Sequence, residues 1–156
     1  MWYLIMAFVA GSGMAVQAAI NSQLGKVLFA QPIYAAFWSF LTGMLVLFCL
    51  SWSVGKGHFF QAMTQVPQQP WWYLIGGFIG AGLVFSSIYL APKLGVANML
   101  FFMVLGQIIC GVVIDSLGWF HMPVREISWV KISGVVLMIV GLAVFAFGDR
   151  LKSAFM

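Results

Sequence analysis

Carboxamide side chains recur inside an otherwise apolar part of the chain. The stretch QAAINSQLGK (17–26) places Gln17 and Asn21 four residues apart, in step with Gly13. At this spacing all three positions lie on one face of a helix. The polar groups on that face need hydrogen-bonding partners that lipid does not supply. The chemistry predicted here is uncharged hydrogen bonding, either to a neighbouring helix or to a small solute.

Two further helical stripes repeat this combination of polar and small side chains. They comprise Gln107, Gly111 and Asp115, and Gly82, Ser86 and Tyr89. Such stripes either pack membrane helices together, at about 0.6 to 2 kcal/mol per hydrogen bond, or line a polar cavity for a small organic solute. Both interpretations stay open at this point. Under the second, the candidate substrate-binding residues are Gln17, Asn21, Ser86, Tyr89 and Gln107.

Asp115 is the only acidic residue inside an apolar run of membrane-spanning length. A carboxylate at the middle of a membrane costs about 3 kcal/mol or more, so such a residue normally signals function. Asp115 falls near the end of its run, however, where headgroup water or a basic neighbour such as Lys131 can satisfy it. It is therefore a candidate for proton coupling, with a structural contact as the alternative.

The glycine-rich segment GGFIGAG (76–82) contains a GxxxG spacing, which permits close approach of two membrane helices. No Lys-Ser or Lys-Thr pair follows it, so it is not a phosphate-binding loop. Helix packing is the role predicted for Gly76, Gly77, Gly80, Gly106 and Gly111.

No residue pattern in the chain indicates catalysis or a cofactor. His58 and His121 lie in predicted loops, and no spacing pairs a nucleophile with a base or builds a metal site. Cys49 and Cys110 lie inside apolar runs without a CxxC motif, so both are expected to be buried, inert thiols. An enzyme, a metal site and a bound cofactor are therefore not predicted.

Composition identifies the elements that position these residues as membrane helices. Hydrophobic residues make up 63% of the 156 residues, charged residues make up 6%, and the mean hydropathy is +1.06. A soluble globular protein has about 25% charged residues. The seven Lys and Arg residues are scattered singly at the ends of apolar runs, which does not suit nucleic-acid binding.

Five apolar runs approach the roughly 20 residues that a helix needs to cross a bilayer. The predicted helices cover residues 2–23, 32–54, 71–91, 96–117 and 129–148 of a single transmembrane domain, 1–156. Pro32 and Pro70 precede helix starts, Pro92 follows a helix end, and 57–70 is a polar loop. A signal peptide with AVQAA as its cleavage site is an alternative for the first run, but that run lacks a basic n-region and is interrupted by GSG at 11–13.

Five segments together carry a family resemblance that covers nearly the whole chain. They are QAAINSQLGK (17–26), PIYAAFWSFLTGMLVL (32–47), PWWYLIGGFIGA (70–81), SSIYLAPKLGVA (86–97) and GQIICGVVIDSLG (106–118). In order and spacing they resemble the YdcZ-type five-helix branch of the drug/metabolite transporter superfamily. The resemblance implies a multi-pass protein of the bacterial inner membrane that exports metabolites or drugs. Larger members of the superfamily have two inverted five-helix repeats with a solute cavity between them, so this chain resembles one half.

Basic residues are nearly balanced between the two membrane faces. One face has four, Lys26, Lys93, Arg150 and Lys152, and the other has three, Lys56, Arg125 and Lys131. The positive-inside preference is therefore slight, with the N-terminus outside and the C-terminus inside. A chain with so small a bias can insert both ways and form an antiparallel homodimer, and a heterodimer with an oppositely oriented paralogue is the alternative.

The sequence therefore predicts a secondary transporter that exports small organic solutes by alternating access as a dimer in membrane lipid. The alternative is a non-transporting membrane protein, such as an assembly or regulatory subunit, whose polar stripes only pack helices. A channel is disfavoured because no charged ring or carbonyl filter is recognisable.

Overall fold

The computed structural model describes residues 1–55 and 58–154, with side chains described up to Gly148. All regular elements in these residues are helical. The α-helices are α1 (Trp2–Val27), α2 (Pro32–Val54), α3 (Phe59–Gln65), α4 (Ile75–Leu94), α5 (Val96–Leu117) and α6 (Trp129–Ala154). Five segments are long and apolar enough to cross a membrane: Trp2–Val27, Pro32–Val54, Trp71–Leu94, Val96–Leu117 and Trp129–Gly148. The prediction of an all-α membrane protein with five spans is confirmed.

Helix boundaries agree with the sequence at Pro32 and at Gly118. Pro32 occupies the first turn of α2, and Gly118 ends α5 in the left-handed conformation with φ 64°. The helix end predicted before Pro92 is wrong, because α4 continues through Pro92 to Leu94. Proline lacks the N–H that bonds to the carbonyl four residues earlier. In α4 this loss falls in the last turn, where few further bonds depend on it.

Two other helix ends and one predicted loop differ from the prediction. α1 continues four residues beyond the predicted end at 23, to Val27, and α6 continues beyond 148 to Ala154. The segment predicted as a polar loop, 57–70, contains the short helix α3. A short apolar and aromatic sequence of this kind does not reach spanning length, so hydropathy alone does not reveal it.

The chain divides into two compact units, residues 1–93 and 94–156. In the first, α1 and α2 run antiparallel, and a small apolar core joins them to α4. This core consists of Ala35, Ala36 and Ile88, with Leu24 and Val84 packed against it. The prediction of a single transmembrane domain stays a prediction.

Gly25 of α1 lies at the closest approach of the three helices. A Cβ atom at this position would lie 3.4 Å from Ile88 Cγ2, 3.7 Å from Ala35 Cβ and 3.8 Å from Pro32 Cα. The space therefore holds little more than a methyl group. Small residues permit this close approach, as in other membrane helix bundles.

Gly25→Leu is expected to destabilise the chain by about 1 to 3 kcal/mol, because the added carbons overpack this contact. Gly11→Leu is the matched control, since within the described residues no atom lies within 4 Å of a Cβ at Gly11 on the same helix. Thermal unfolding of the purified protein in detergent measures the difference. Equal unfolding midpoints for the two variants would contradict the proposed packing.

The helix α3 is held against the end of α2 by aromatic contacts. Ring centroids of Phe48 and Phe59 lie 5.3 Å apart at 88°, and those of Trp52 and Phe60 lie 5.6 Å apart at 87°. Edge-to-face pairs of this geometry contribute about 0.5 to 1.5 kcal/mol beyond the area that they bury. The aromatic residues thus position α3 beside the membrane-spanning part of α2.

In the second unit, α5 packs antiparallel to α6. The Phe101 and Phe145 rings lie 4.7 Å apart. After α5 the chain folds back, and the Arg125 N–H donates a hydrogen bond to the Asp115 carbonyl at 2.8 Å. A Cβ at Gly118 would lie 2.7 Å from Val124 Cγ2, so this turn requires glycine for space as well as for its positive φ.

Most large apolar side chains are exposed on the surface of the chain. Examples from four of the spans are Phe8, Leu47, Phe78 and Val144. A soluble monomer rarely exposes so much contiguous apolar area, whereas lipid or a second membrane chain covers it without cost. Cys49 and Cys110 belong to the same surface, since both are exposed, so the expectation that these thiols are buried within the chain is wrong.

Candidate functional site

A serine on α2 connects the two amides predicted from the first span. Asn21 Nδ2 donates a hydrogen bond to Ser39 Oγ at 3.0 Å, and Gln17 Nε2 donates to the same oxygen at 3.4 Å. Asn21 is only 6% exposed, whereas Gln17 is exposed. Ser39 lies within the second family segment, PIYAAFWSFLTGMLVL, but is not among the predicted site residues. Its polarity in the middle of a span was the available signal.

The exposed side of this cluster opens into a groove of about 490 Å³ along α2. The lining combines Gln17, Ser39 and Ser51 with three phenylalanines, Phe40, Phe48 and Phe59, and with Gly43, Met44 and Leu47. The lining contains no ionisable side chain. Ser39 and Ser51 are separated by about 18 Å along the helix axis, at 1.5 Å per residue. The groove therefore has Gln17 and Ser39 towards one end and Phe48, Ser51 and Phe59 towards the other.

A second cavity, of about 470 Å³, adjoins the groove at Ser51 and Phe59. It lies between the end of α2 and the helix α3, and its lining includes His58 and Met63. The Nδ1 atom of His58 is 3.2 Å from Gln61 Oε1. Ser51 and Phe59 therefore contribute to the walls of both cavities.

The candidate residues on α4 lie outside the lining of the groove. Ser86 is partly buried, and Tyr89 is partly exposed. The Lys93 ammonium lies 3.5 Å from the centroid of the Tyr89 ring, a cation–π contact, and the Phe85 ring stacks at 6.3 Å. The Tyr89 ring is thus already engaged within the chain. A substrate-binding role for Ser86 and Tyr89 stays a prediction.

The remaining candidates lie on α5 in the second unit. Gln107 is exposed, and Asp115 is partly buried in the last turn of the helix. Lys131 is a basic residue that could neighbour Asp115. Its ammonium instead donates to the Glu126 carbonyl at 3.3 Å. No ion pair to the Asp115 carboxylate is found among the described residues. Its role in proton coupling stays a prediction.

The five glycines predicted to pack helices differ in their surroundings. A Cβ at Gly80 would lie 3.9 Å from Phe40 Cζ, so this position faces α2. A Cβ at any of the other four would meet no described atom within 4 Å; these are Gly76, Gly77, Gly106 and Gly111. Helix packing at these four positions therefore requires contacts other than those of the described residues. The packing role of these glycines stays a prediction.

Metal chemistry finds no support in the described part of the chain. The described residues contain no group of three His, Cys, Asp or Glu side chains that could hold a metal ion. The groove itself offers the Gln17 amide, two serine hydroxyls and three aromatic rings as groups that could contact a ligand.

The five apolar spans define a multi-pass membrane protein. A family described as "Putative inner membrane exporter, YdcZ" matches residues 2–144. The chain belongs to this family and resides in the inner membrane, as the resemblance of its motifs predicted. It is 28% identical to the inner membrane protein YdcZ of Escherichia coli (strain K12) over 141 residues, covering 88% of this chain and 91% of that protein. No solved structure gives a significant match.

Proposed function

We propose that this chain exports small organic solutes across the inner membrane, by alternating access, as a dimer of five-helix chains. The observation that carries the proposal is the groove at Gln17 and Ser39, which places hydrogen-bonding groups inside the membrane spans. Its volume of about 490 Å³ lies within the range of small-molecule sites, roughly 300 to 1,000 Å³. Membership of an exporter family supports a transport role. Catalysis is not part of the proposal.

The exposed apolar surface and the balance of basic residues support the proposed dimer. The groove has an open side, and a second chain over this side encloses a solute between two halves. With four basic residues against three, the chain can insert in both orientations, which supplies an inverted pair. Lys56 lies outside the described residues, and for Arg150 and Lys152 only the backbone is described. The partner is a second copy of this chain or an oppositely oriented paralogue.

Flux through the purified protein tests this function. Liposomes that contain the protein are loaded with a bacterial metabolite extract, and released compounds are identified by mass spectrometry against protein-free liposomes. Gln17→Ala is expected to slow release of the transported compound about 3- to 10-fold, the loss of one or two neutral hydrogen bonds. Asn21→Ala is expected to act in the same direction, because it removes the second donor to Ser39.

Gln23→Ala is the matched control, since Gln23 is exposed on the same helix and does not line the groove. Expression and dimer formation should stay normal for Gln17→Ala and for this control. The proposal fails if no compound is released faster than from protein-free liposomes. Lost dimer formation with unchanged flux per dimer would instead favour the helix-packing interpretation of the amides.

A further inference from the structure

The hydroxyl of Ser39 is bonded differently from most helical hydroxyls in the described residues. Seven of them donate to a carbonyl of their own helix: Ser12, Thr42, Ser53, Thr64, Ser87, Ser116 and Ser133. Ser39 Oγ instead accepts hydrogen bonds from Asn21 Nδ2 and Gln17 Nε2. The described residues supply no acceptor for its own proton. The Ser39 O–H thus has no acceptor among the described residues, and Ser39 lines the groove.

This arrangement leaves the Ser39 O–H available to donate to a ligand. Two N–H groups that donate to one hydroxyl oxygen polarise its O–H bond, because hydrogen bonds in a chain strengthen one another in a medium of low dielectric constant. Gln17 adds an acceptor, since its Nε2 is directed to Ser39 while its Oε1 has no partner within the described residues. A ligand group that accepts from Ser39 and donates to Gln17 satisfies both. Alcohols and amides with an N–H have this property.

The rest of the groove selects against charged ligands. Its lining contains no carboxylate, ammonium or guanidinium that could neutralise an ion. The faces of Phe40, Phe48 and Phe59 attract cations, but this attraction is smaller than the cost of removing an ion from water without a counter-ion. Burial of uncharged apolar or aromatic groups in the same space lowers the free energy, because it removes apolar surface from water. The electrostatics therefore favour a neutral ligand.

We infer that the groove binds an uncharged amphipathic molecule. Its single alcohol or amide group pairs with Ser39 and Gln17, and its apolar or aromatic body extends along α2 towards Phe48 and Phe59. The distance of about 18 Å between Ser39 and Ser51 limits the length of this body. An acyl chain of a lipid fills the apolar part but leaves the Ser39 donor unpaired. This inference rests on the proposed function, because it names the substrate class of the same groove.

Binding to the full chain in lipid nanodiscs tests the inference, with protein-free nanodiscs as background. The probes are 4-phenyl-1-butanol, its methyl ether, which has no donor, and 4-phenylbutylammonium, which is charged. Equilibrium dialysis should show saturable binding of the alcohol, with both other probes at least about 3-fold weaker. Ser39→Ala should weaken binding of the alcohol about 3- to 10-fold, and Ser39→Thr should retain it because the hydroxyl is kept.

Ser53→Ala is the matched control on the same helix, since the Ser53 hydroxyl donates to the Cys49 carbonyl and does not line the groove. It should bind the alcohol as the unmodified chain does. Equal binding of the alcohol by Ser39→Ala would overturn the inference, as would binding of the ammonium probe as tight as that of the alcohol, or the absence of saturable binding for the alcohol.

Flux measured with the same alcohol separates this inference from the proposed function. Saturable, Ser39-dependent binding without release across the membrane would overturn the proposed export while the ligand class stands. Release of metabolites that does not depend on Ser39 would overturn the ligand class while export stands.

Discussion

Two lysines added to one membrane face, with one removed from the other, are expected to abolish transport by the chain expressed alone. Gln65→Lys and Gln69→Lys, combined with Lys26→Gln on the other face, change the balance of basic residues from four against three to three against five. Gln65 at the end of α3, Gln69 just after it and Lys26 in the last turn of α1 are all exposed, so the change leaves the packing of the spans intact. All chains then insert in one orientation, because the Lys and Arg excess of short loops sets topology. Without inverted partners, the proposed antiparallel pair does not form.

Phe29→Lys with Gln31→Lys biases the chain in the opposite direction, to six against three. Both residues are exposed in the turn between α1 and α2. Each biased variant should be inactive alone, and co-expression of the two should restore transport, because each supplies the orientation that the other lacks. This rescue distinguishes a topological defect from local damage, which co-expression does not repair.

Labelling of a C-terminal cysteine measures the orientation directly. Cys49 and Cys110 are first replaced by Ala, since both are exposed on the surface of the chain. In the otherwise unmodified protein, an impermeant thiol reagent should label about half of the molecules. A uniform C-terminal location, with full activity and no partner chain, would rule out the antiparallel homodimer.

Asp115→Asn is expected to eliminate the stimulation of transport by a pH gradient while solute binding stays intact. The amide keeps hydrogen-bonding capacity but carries no titratable proton, so transport that depends on protonation of this carboxyl loses its driving force. Asp115 is suited to this role because it is partly buried and has no ion-pair partner in the described residues. Flux into liposomes with and without an imposed gradient measures the effect.

Glu126→Gln is the matched control for Asp115→Asn. Glu126 is exposed in the connection between α5 and α6, and its backbone carbonyl, not its carboxylate, accepts the bond from Lys131. The control should keep its response to the gradient. If Asp115→Asn also keeps this response, Asp115 has a structural role and the coupling proposal is wrong.

Local signals explain which helix limits were predicted correctly. The limits of α2 and α5 follow from Pro32 at a helix start and from Gly95 and Gly118, which flank α5 with positive φ angles. The end of α1 lacks such a marker. It is followed by Phe29 and Ala30, both left-handed with φ 55°, a conformation that sequence rarely indicates for residues other than glycine. The turn after α1 therefore begins beyond Val27, four residues later than the predicted helix end at 23.

The sequence by itself determined the class of the protein, the five spans and the face of the first span that carries Gln17 and Asn21, because hydropathy and helical periodicity are local properties. Only the tertiary structure decided that this face meets Ser39. The contact depends on the axial register of α1 against α2, which is set by the close packing of Gly25 on Ala35 and Ile88. Residues far apart in the chain acquire a common site only through such packing, since periodicity identifies a face but not its neighbour.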